Sequence, residues 1–222
     1  MPTDNKTTLL DLIATHSFKL GDFTLASGQK SDYYIDCRIT TLHAEGGRLS
    51  GLVFYDLIRD HIPNAEKIEA VGGLTMGANP LVSNTASASA WALADYNEIA
   101  ELSSALELEA DEDPGPIPTL IHGFLVRKAE KTHGTGRRIE GFLKPGAHVV
   151  IVDDVCTTGG STITAIEATR EAGMQVAGVL CLVDREQGGR ANIEAAIPGV
   201  PFLSVFTASD VRAAHIALQK AK

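Results

Sequence analysis

The segment VVIVDDVCTTGGST, residues 149–162, sets two adjacent carboxylates, Asp153 and Asp154, directly ahead of a Thr/Gly turn. Four apolar β-branched residues before them read as a buried parallel strand, whose C-terminal end delivers the turn. A helix starting at Ser161 would let the backbone amides of Thr157, Thr158, Gly159, Gly160 and Ser161 converge on an anion. The hydroxyls of Thr157, Thr158, Ser161 and Thr162 add donors. This is a monophosphate cradle, not a P-loop, because G-x-x-x-x-G-K-[ST] and its lysine are missing. G-x-G-x-x-G is also missing from this segment, so it is not a dinucleotide fingerprint. Beside a sugar phosphate, the two acids would accept hydrogen bonds from ribose hydroxyls. The plainer alternative is a pair of exposed turn acids with a helix cap, which the apolar strand before them and the T-T-G-G-S-T after them disfavour. A second segment, RKAEKTHGTGRR (Arg127 to Arg138), is basic within an acidic chain and has no large apolar residue to pin it. A cationic, glycine-hinged loop suits closure over a highly anionic substrate, although such a run is also how a solvated surface loop reads.

These groups need elements to hold them. Leu9, Leu10, Leu12 and Ile13 suit a short amphipathic helix ending near His16. FKLGDFTLA reads as a hairpin turning at Gly21-Asp22, and Tyr33 to Cys37 as a strand. His43 to His61 carries Leu49, Leu52, Val53 and Leu57 at helical spacing, with Pro63 as a stop. From there, apolar runs alternate with glycine turns and helices. Ile68 to Val71 leads into GGLTMG, Thr119 to Val126 into the basic loop, and Ala147 to Val152 into the cradle and a helix ending at Gly173. Val176 to Val183 and Phe202 to Phe206 complete the strands. This alternation predicts an α/β domain with a mostly parallel central sheet flanked by helices. Asn84 to Ala110 reads as a long Ala-rich surface helix with an acidic end, stopped by DEDPGPIP (Asp111 to Pro118). The expected organisation is one domain: residues 1–42 as an N-terminal appendage, 43–208 as the α/β core, and 209–222 as a C-terminal helix.

With 222 residues, 44% hydrophobic and 21% charged, the chain has enough material for one full core and is far from disorder. A net charge of −9 argues against nucleic acid or a polybasic membrane surface as partner. No run approaches the length of a membrane-spanning helix, and the N-terminus shows no secretory pattern. Cys37, Cys156 and Cys181 include no C-x-x-C pair, so neither a disulfide framework nor a zinc site is expected. A cytoplasmic, reduced setting follows as an expectation.

The residues quoted above resemble a known family. VVIVDDVCTTGGST is similar to the phosphoribosyl-pyrophosphate motif of type I phosphoribosyltransferases. FTLASGQKSDYYIDCR (Phe23 to Arg38), RKAEKTHG and LVDREQGG (Leu182 to Gly189) resemble segments of the orotate phosphoribosyltransferases. The four matches span about residues 20 to 190. The resemblance implies the type I fold, with residues 1–42 as a small hood, and transfer of a phosphoribosyl group to orotate. It implies that Asp153 and Asp154, as catalytic residues, hold the ribose hydroxyls, that Thr157 to Ser161 hold the 5′-phosphate, and that Val155 and Cys156 also bind substrate. Arg185, with Thr157, would face orotate through its guanidinium fork, beside Tyr34 and Ile35. Arg127, Lys128, Lys131 and His133 would close over pyrophosphate, Lys131 and His133 as catalytic residues, with the loop shared across a homodimer. Thr75 and Met76, in GGLTMG, fall where the family binds pyrophosphate through backbone amides. Mg²⁺, bound mainly through substrate and water, is the implied cofactor, and no protein metal cage is expected.

This chain departs from the pattern at two places. A lysine frequent before the Ser-Gly of the N-terminal motif is Ala26 here, and one frequent in the pyrophosphate turn is Met76. Lys30 is the nearby residue able to supply part of that charge. Two further readings stay open: a phosphoribosyltransferase for another base, and a non-catalytic sensor of phosphoribosyl pyrophosphate. Arg185 and the orotate-like segments weigh against the first. Lys131 and His133 weigh against the second.

Overall fold

The computed structural model describes residues 4–24, 30–105, 116–128 and 138–221. Helix α1 (Asn5–Leu12) runs on as a π-helical turn to Ser17, then into strands β1 (Phe18–Thr24) and β2 (Lys30–Ile35). Helices α2 (Arg38–Thr41) and α3 (Ala44–His61) follow, then β3 (Ile68–Leu74), α4 (Ala78–Ala105), β4 (His122–Val126) and β5 (Ile139–Gly141). The chain continues through β6 (His148–Cys156), α5 (Gly160–Glu171), β7 (Gln175–Asp184), α6 (Gly189–Ala196), β8 (Phe202–Thr207) and α7 (Ala208–Lys220).

The central sheet has the order β5-β4-β3-β6-β7-β8, and β1 and β2 form a separate antiparallel pair. All neighbours in the large sheet are parallel except β4 and β5. The α/β prediction with a mostly parallel sheet holds. Strands β3 and β6 lie side by side, but the chain leaves β3 toward β4 and leaves β6 toward β7. Their C-terminal ends therefore flank a topological switch point, the crevice in which open α/β sheets bind ligands.

Both faces of the sheet are covered, because strand side chains alternate between two cores. Val149 and Ile151 pack with Ala165, Ile166 and Ile193 on one side. Val150 and Val152 pack on the other with Leu49, Phe54 and Leu81, joined by Leu9, Ile13 and Phe18 from the N-terminal segment. Each such fully buried side chain contributes roughly 1.5–3 kcal/mol of apolar transfer energy, before the entropy of ordering it is deducted. Helix α3 opens on His43, whose Nδ1 accepts the Gly46 N–H at 3.3 Å. It closes at Ile62, ahead of Pro63, as the restriction on a residue before proline demands. A side chain at Gly51 would collide with the Asn84 backbone, so this glycine sets how closely α3 crosses α4.

Two expectations need correction. Gly21-Asp22 is not the hairpin turn. Register shifts between Leu20 and Phe23, and Thr24 pairs with Lys30, so those two residues form an irregularity within β1. The long helix starts at Ala78, and its first half is core rather than surface: Leu81 and Thr85 are fully buried. Tertiary packing against α3 and the sheet outweighs the weak local start signal of Gly77-Ala78-Asn79-Pro80. The ends of the basic segment enter an antiparallel pair, while residues 129–137 lie outside the described residues. Val126 pairs with Ile139, and the Arg127 N–H donates to the Arg138 carbonyl at 2.8 Å. Among the described residues, no helix is long and apolar enough to cross a membrane.

Candidate active site

A cavity of about 530 Å³ opens at the switch point. One wall is the end of β6 with the start of α5: Asp153, Asp154, Val155 and Ser161. The floor is Leu74, Thr75, Met76 and Gly77, the turn after β3, whose Thr75–Met76 peptide is cis. A second wall is Tyr34, Ile35, Asp36 and Arg38 from β2 and the start of α2, and Lys128, just beyond β4, also lines the cavity.

The β6 wall is tightly held. Asp153 is 6% exposed; its Oδ2 accepts the Thr162 hydroxyl at 2.7 Å and its Oδ1 accepts the Asp154 N–H at 3.1 Å. Burial, with the neighbouring Asp154 charge second, pushes its pKa up to about 7. Burial also raises the pKa of Asp154, against hydrogen bonds from the backbone and the positive charge of Arg38. Gly77 lies directly against the Asp154 carboxyl; a Cβ there would overlap Oδ1. The phosphate turn follows: Gly159 adopts φ +81°, the left-handed region suited to glycine, and α5 begins at Gly160. The Ile163 N–H returns to the Gly159 carbonyl at 2.9 Å, whereas the amides of Thr158 to Thr162 have no backbone acceptor among the described residues. Together with the helix dipole, these amides form an anion-binding terminus.

The sequence-predicted residues separate into groups. Tyr34, Ile35, Thr75, Met76, Lys128, Asp153, Asp154, Val155 and Ser161 meet in the cavity lining. Thr157, Thr158, Gly159 and Gly160 form the turn next to it. Cys156 is expected in the substrate shell, but its thiol is buried in the core beside Gly189, leaving only its backbone for a ligand. Arg185 is 7% exposed beneath β2: its guanidinium lies 4.8 Å from the Tyr33 ring centroid, with Nε 3.4 Å from Tyr33 Oη and Nη2 3.4 Å from Ser31 Oγ. Lys30 binds Thr24 Oγ1 across the hairpin at 2.9 Å, and Arg127 pairs with Glu140 at 3.1 Å. Ala26, Lys131 and His133 lie outside the described residues. Sequence reasoning missed Asp36 and Arg38. The available signal was an acid and a base two positions apart at the end of the DYYIDCR strand.

A larger cavity, about 780 Å³, lies elsewhere, walled by Tyr55, Ile58, Tyr96, Ile99 and Ile117. Its cation, Arg59, is tied to Asp56 at 3.0 Å and Asp60 at 2.7 Å, so the free anion donors gathered at the switch point have no counterpart there.

A parallel sheet, a strand-end acid pair and a Thr/Gly anion turn define a phosphoribosyl-transferring class of protein, and residues 56–197 match the phosphoribosyl transferase domain family. An orotate phosphoribosyltransferase of Synechocystis is 40% identical over 92% of this chain and 87% of its own length. The chain belongs to the orotate phosphoribosyltransferase family. Among solved structures, the Mycobacterium tuberculosis orotate phosphoribosyltransferase in complex with Fe(III) dicitrate is 32% identical, with a TM-score of 0.69 and coverage of 94% of this chain and 99% of that one. The same enzyme in complex with 5-phospho-alpha-D-ribosyl 1-diphosphate is 29% identical, with a TM-score of 0.65 and coverage of 94% and 99%.

Proposed function

We infer that this chain transfers the 5-phosphoribosyl group of phosphoribosyl pyrophosphate to orotate, giving orotidine 5′-monophosphate and pyrophosphate in pyrimidine biosynthesis. The observation that carries this reading is the switch-point cavity, where an acid pair, Asp153 buried and Asp154 half-buried, adjoins an amide-rich helix start. A ring nitrogen of orotate attacks the anomeric carbon while that carbon's bond to the pyrophosphate oxygen breaks. The electron pair leaves on pyrophosphate, and the ribose passes through an oxocarbenium-like state. No strong base is needed for an anionic nucleophile, so catalysis is positioning and charge placement.

Within that reaction, Asp153 and Asp154 take the ribose hydroxyls, and the amides of Thr158 to Ser161 with the Thr157, Thr158 and Ser161 hydroxyls take the 5′-phosphate. Backbone groups of Thr75 to Gly77 take pyrophosphate. Tyr34 and Ile35 flank the base, and Arg185 reaches its carboxylate once it leaves Tyr33. Lys128 and Arg127, with Lys131 and His133 beyond them, close over the leaving group and exclude water. In a homodimer, that loop would serve the neighbouring subunit's site.

The donor set suits Mg²⁺ carried mainly by substrate and water. Among the described residues no group of three or more His, Cys, Asp or Glu is arranged to hold a metal, and of the cavity carboxylates Asp36 is engaged by Arg38. Asp153 and Asp154 are the hard oxygens that would face the ion. When bound, Mg²⁺ supplies charge neutralisation of the leaving pyrophosphate. The test is loss of orotate absorbance with phosphoribosyl pyrophosphate and Mg²⁺. Turnover that stops on chelation and resumes with Mg²⁺ supports the reading; turnover with a purine base but not with orotate overturns it.

A further inference from the structure

The cavity lining is acidic for a site that takes a polyanion. Asp36, Asp153 and Asp154 face it, and the turn at its floor contributes Thr75, Met76 and Gly77, none of them cationic. Among the described lining residues, the positive charges are Lys128 and Arg38. Arg38 sits at the first position of α2, where β2 hands the chain to the cavity wall. Its fork is fixed by Asp36: Nε donates to Oδ1 at 2.8 Å and Nη2 to Oδ2 at 2.7 Å. The Asp36 Oδ1 also accepts the Arg38 N–H at 3.1 Å, so one carboxylate holds both the backbone and the guanidinium of the same residue.

This pairing leaves both N–H groups of Nη1 without an acceptor among the described residues, while the guanidinium is kept oriented. About half of the Arg38 side chain remains exposed, at 48%, so it has room to meet a ligand and no packing role in the core. Its charge is felt at Asp154, and Asp154 in turn rests against Gly77 in the floor turn. Arg38 and the floor turn therefore both neighbour Asp154.

Resting on the reading above, we propose that Arg38 binds the pyrophosphate of the phosphoribosyl donor, with Asp36 as the residue that positions it. Arg38 provides the fixed cation that the Thr75-Met76-Gly77 turn lacks, and a guanidinium fork matches phosphate oxygens in two-point geometry. Asp36 does not touch the substrate. It restricts Arg38 before binding, so less side-chain entropy is lost when the donor arrives.

The experiment compares wild type with Arg38→Ala, Arg38→Lys and Asp36→Asn in steady-state kinetics, and titrates inorganic pyrophosphate with Mg²⁺ against each. Arg38→Ala should raise KM for phosphoribosyl pyrophosphate and Kd for pyrophosphate by about tenfold or more, the scale of a lost charge-assisted contact. KM for orotate should stay within about twofold, since base contacts are untouched. Arg38→Lys should recover part of the loss, because charge returns without the fork. Asp36→Asn should fall between Arg38→Ala and wild type. Unaltered circular dichroism and Tm are expected for the exposed Arg38. If Arg38→Ala leaves donor KM and pyrophosphate Kd unchanged, or raises only KM for orotate, the proposal is wrong. A wild-type protein inactive on orotate would instead overturn the proposed function, and pyrophosphate titration would still decide the role of Arg38.

Discussion

The two long walls of the cavity are built in opposite ways. The β6–α5 wall is a central strand with neighbours on both sides, and its functional groups are fixed by contacts inside the core: Asp153 to Thr162, Asp154 against Gly77, Gly159 against α6. The β2–α2 wall belongs to a separate two-stranded sheet, and its groups are fixed by surface pairs: Arg38 with Asp36, and Tyr34 beside Phe23 with ring centroids 5.6 Å apart. Polar groups pinned inside a low-dielectric core cannot relax when a neighbour changes, whereas solvated pairs can be remade with water. The β6–α5 wall should therefore respond sharply to small substitutions and the β2–α2 wall gradually.

The largest effect should come from Gly159→Val. Its φ of +81° lies where a β-branched residue is strained, and a Cβ would stand 2.9 Å from Ile193 Cγ1 and 3.1 Å from the Gly189 carbonyl. Gly159 itself is buried against α6, so stability should drop by roughly 1–3 kcal/mol along with phosphate binding. Calorimetry should show a lower Tm, and titration should show no measurable donor affinity. Retained affinity would detach the phosphate from this turn.

Next is Gly77→Ala, which adds one methyl group where Asp154 Oδ1 sits. The carboxyl must move, and kcat/KM should fall by about 10- to 100-fold, or roughly 1.4–2.8 kcal/mol. Tm should change little, because the cavity side of the turn is open. An unchanged kcat/KM would show that the position of Asp154 is not what the β6–α5 wall contributes.

The two walls also differ in how much the sequence discloses. VVIVDDVCTTGGST is a local pattern: strand, acids, turn and helix start are consecutive, so their mutual placement follows from backbone geometry alone. Arg38 depends on where β2 is laid across the sheet, and Arg185 on Tyr33, which is 152 residues away in sequence. Helix α4 teaches the same lesson, since Leu81 and Thr85 are buried by distant partners that no window of local sequence contains. The hairpin was misplaced for a related reason: Gly-Asp serves equally as a turn or as an irregularity within a strand.

A smaller, pH-dependent effect follows from Asp153. Its folded pKa, about 7, exceeds the usual carboxylate value, so between those two values the folded state holds a proton that the unfolded chain releases. Stability from this group is fully present at low pH and declines as pH rises toward 7, with a slope of up to about 1.4 kcal/mol per pH unit for one proton. In Asp153→Asn that decline should be absent, so without substrate or divalent cation the Tm difference, variant minus wild type, should grow from pH 5 to pH 8. A difference that stays flat or shrinks over this range would mean that folding does not disfavour ionisation of this carboxyl. The β6–α5 wall would then lose its claim to be a dry, rigid surface.

The smallest change is expected on the other side, from Tyr33→Phe. The Tyr33 hydroxyl is 3.4 Å from Arg185 Nε, a long hydrogen bond, while the ring itself stacks on Phe18 at 5.6 Å and under the Arg185 guanidinium at 4.8 Å. Phenylalanine keeps both ring contacts and removes only the hydroxyl, so stability should change by no more than about 0.5–1 kcal/mol. If Arg185 must leave Tyr33 to reach the orotate carboxylate, losing that tether makes the departure easier. KM for orotate should then fall or stay level, within about threefold, and KM for phosphoribosyl pyrophosphate should not move. Tyr33→Ala sharpens the case by removing the ring as well, freeing Arg185 but opening a gap beneath β2, so its Tm should drop well below that of Tyr33→Phe. A rise in KM for orotate above about threefold in Tyr33→Phe would show that the hydroxyl presents Arg185 to the base rather than restraining it. In that event a single long, part-buried hydrogen bond beneath β2 would matter as much as the buried contacts of β6, and the contrast between the two walls would fail.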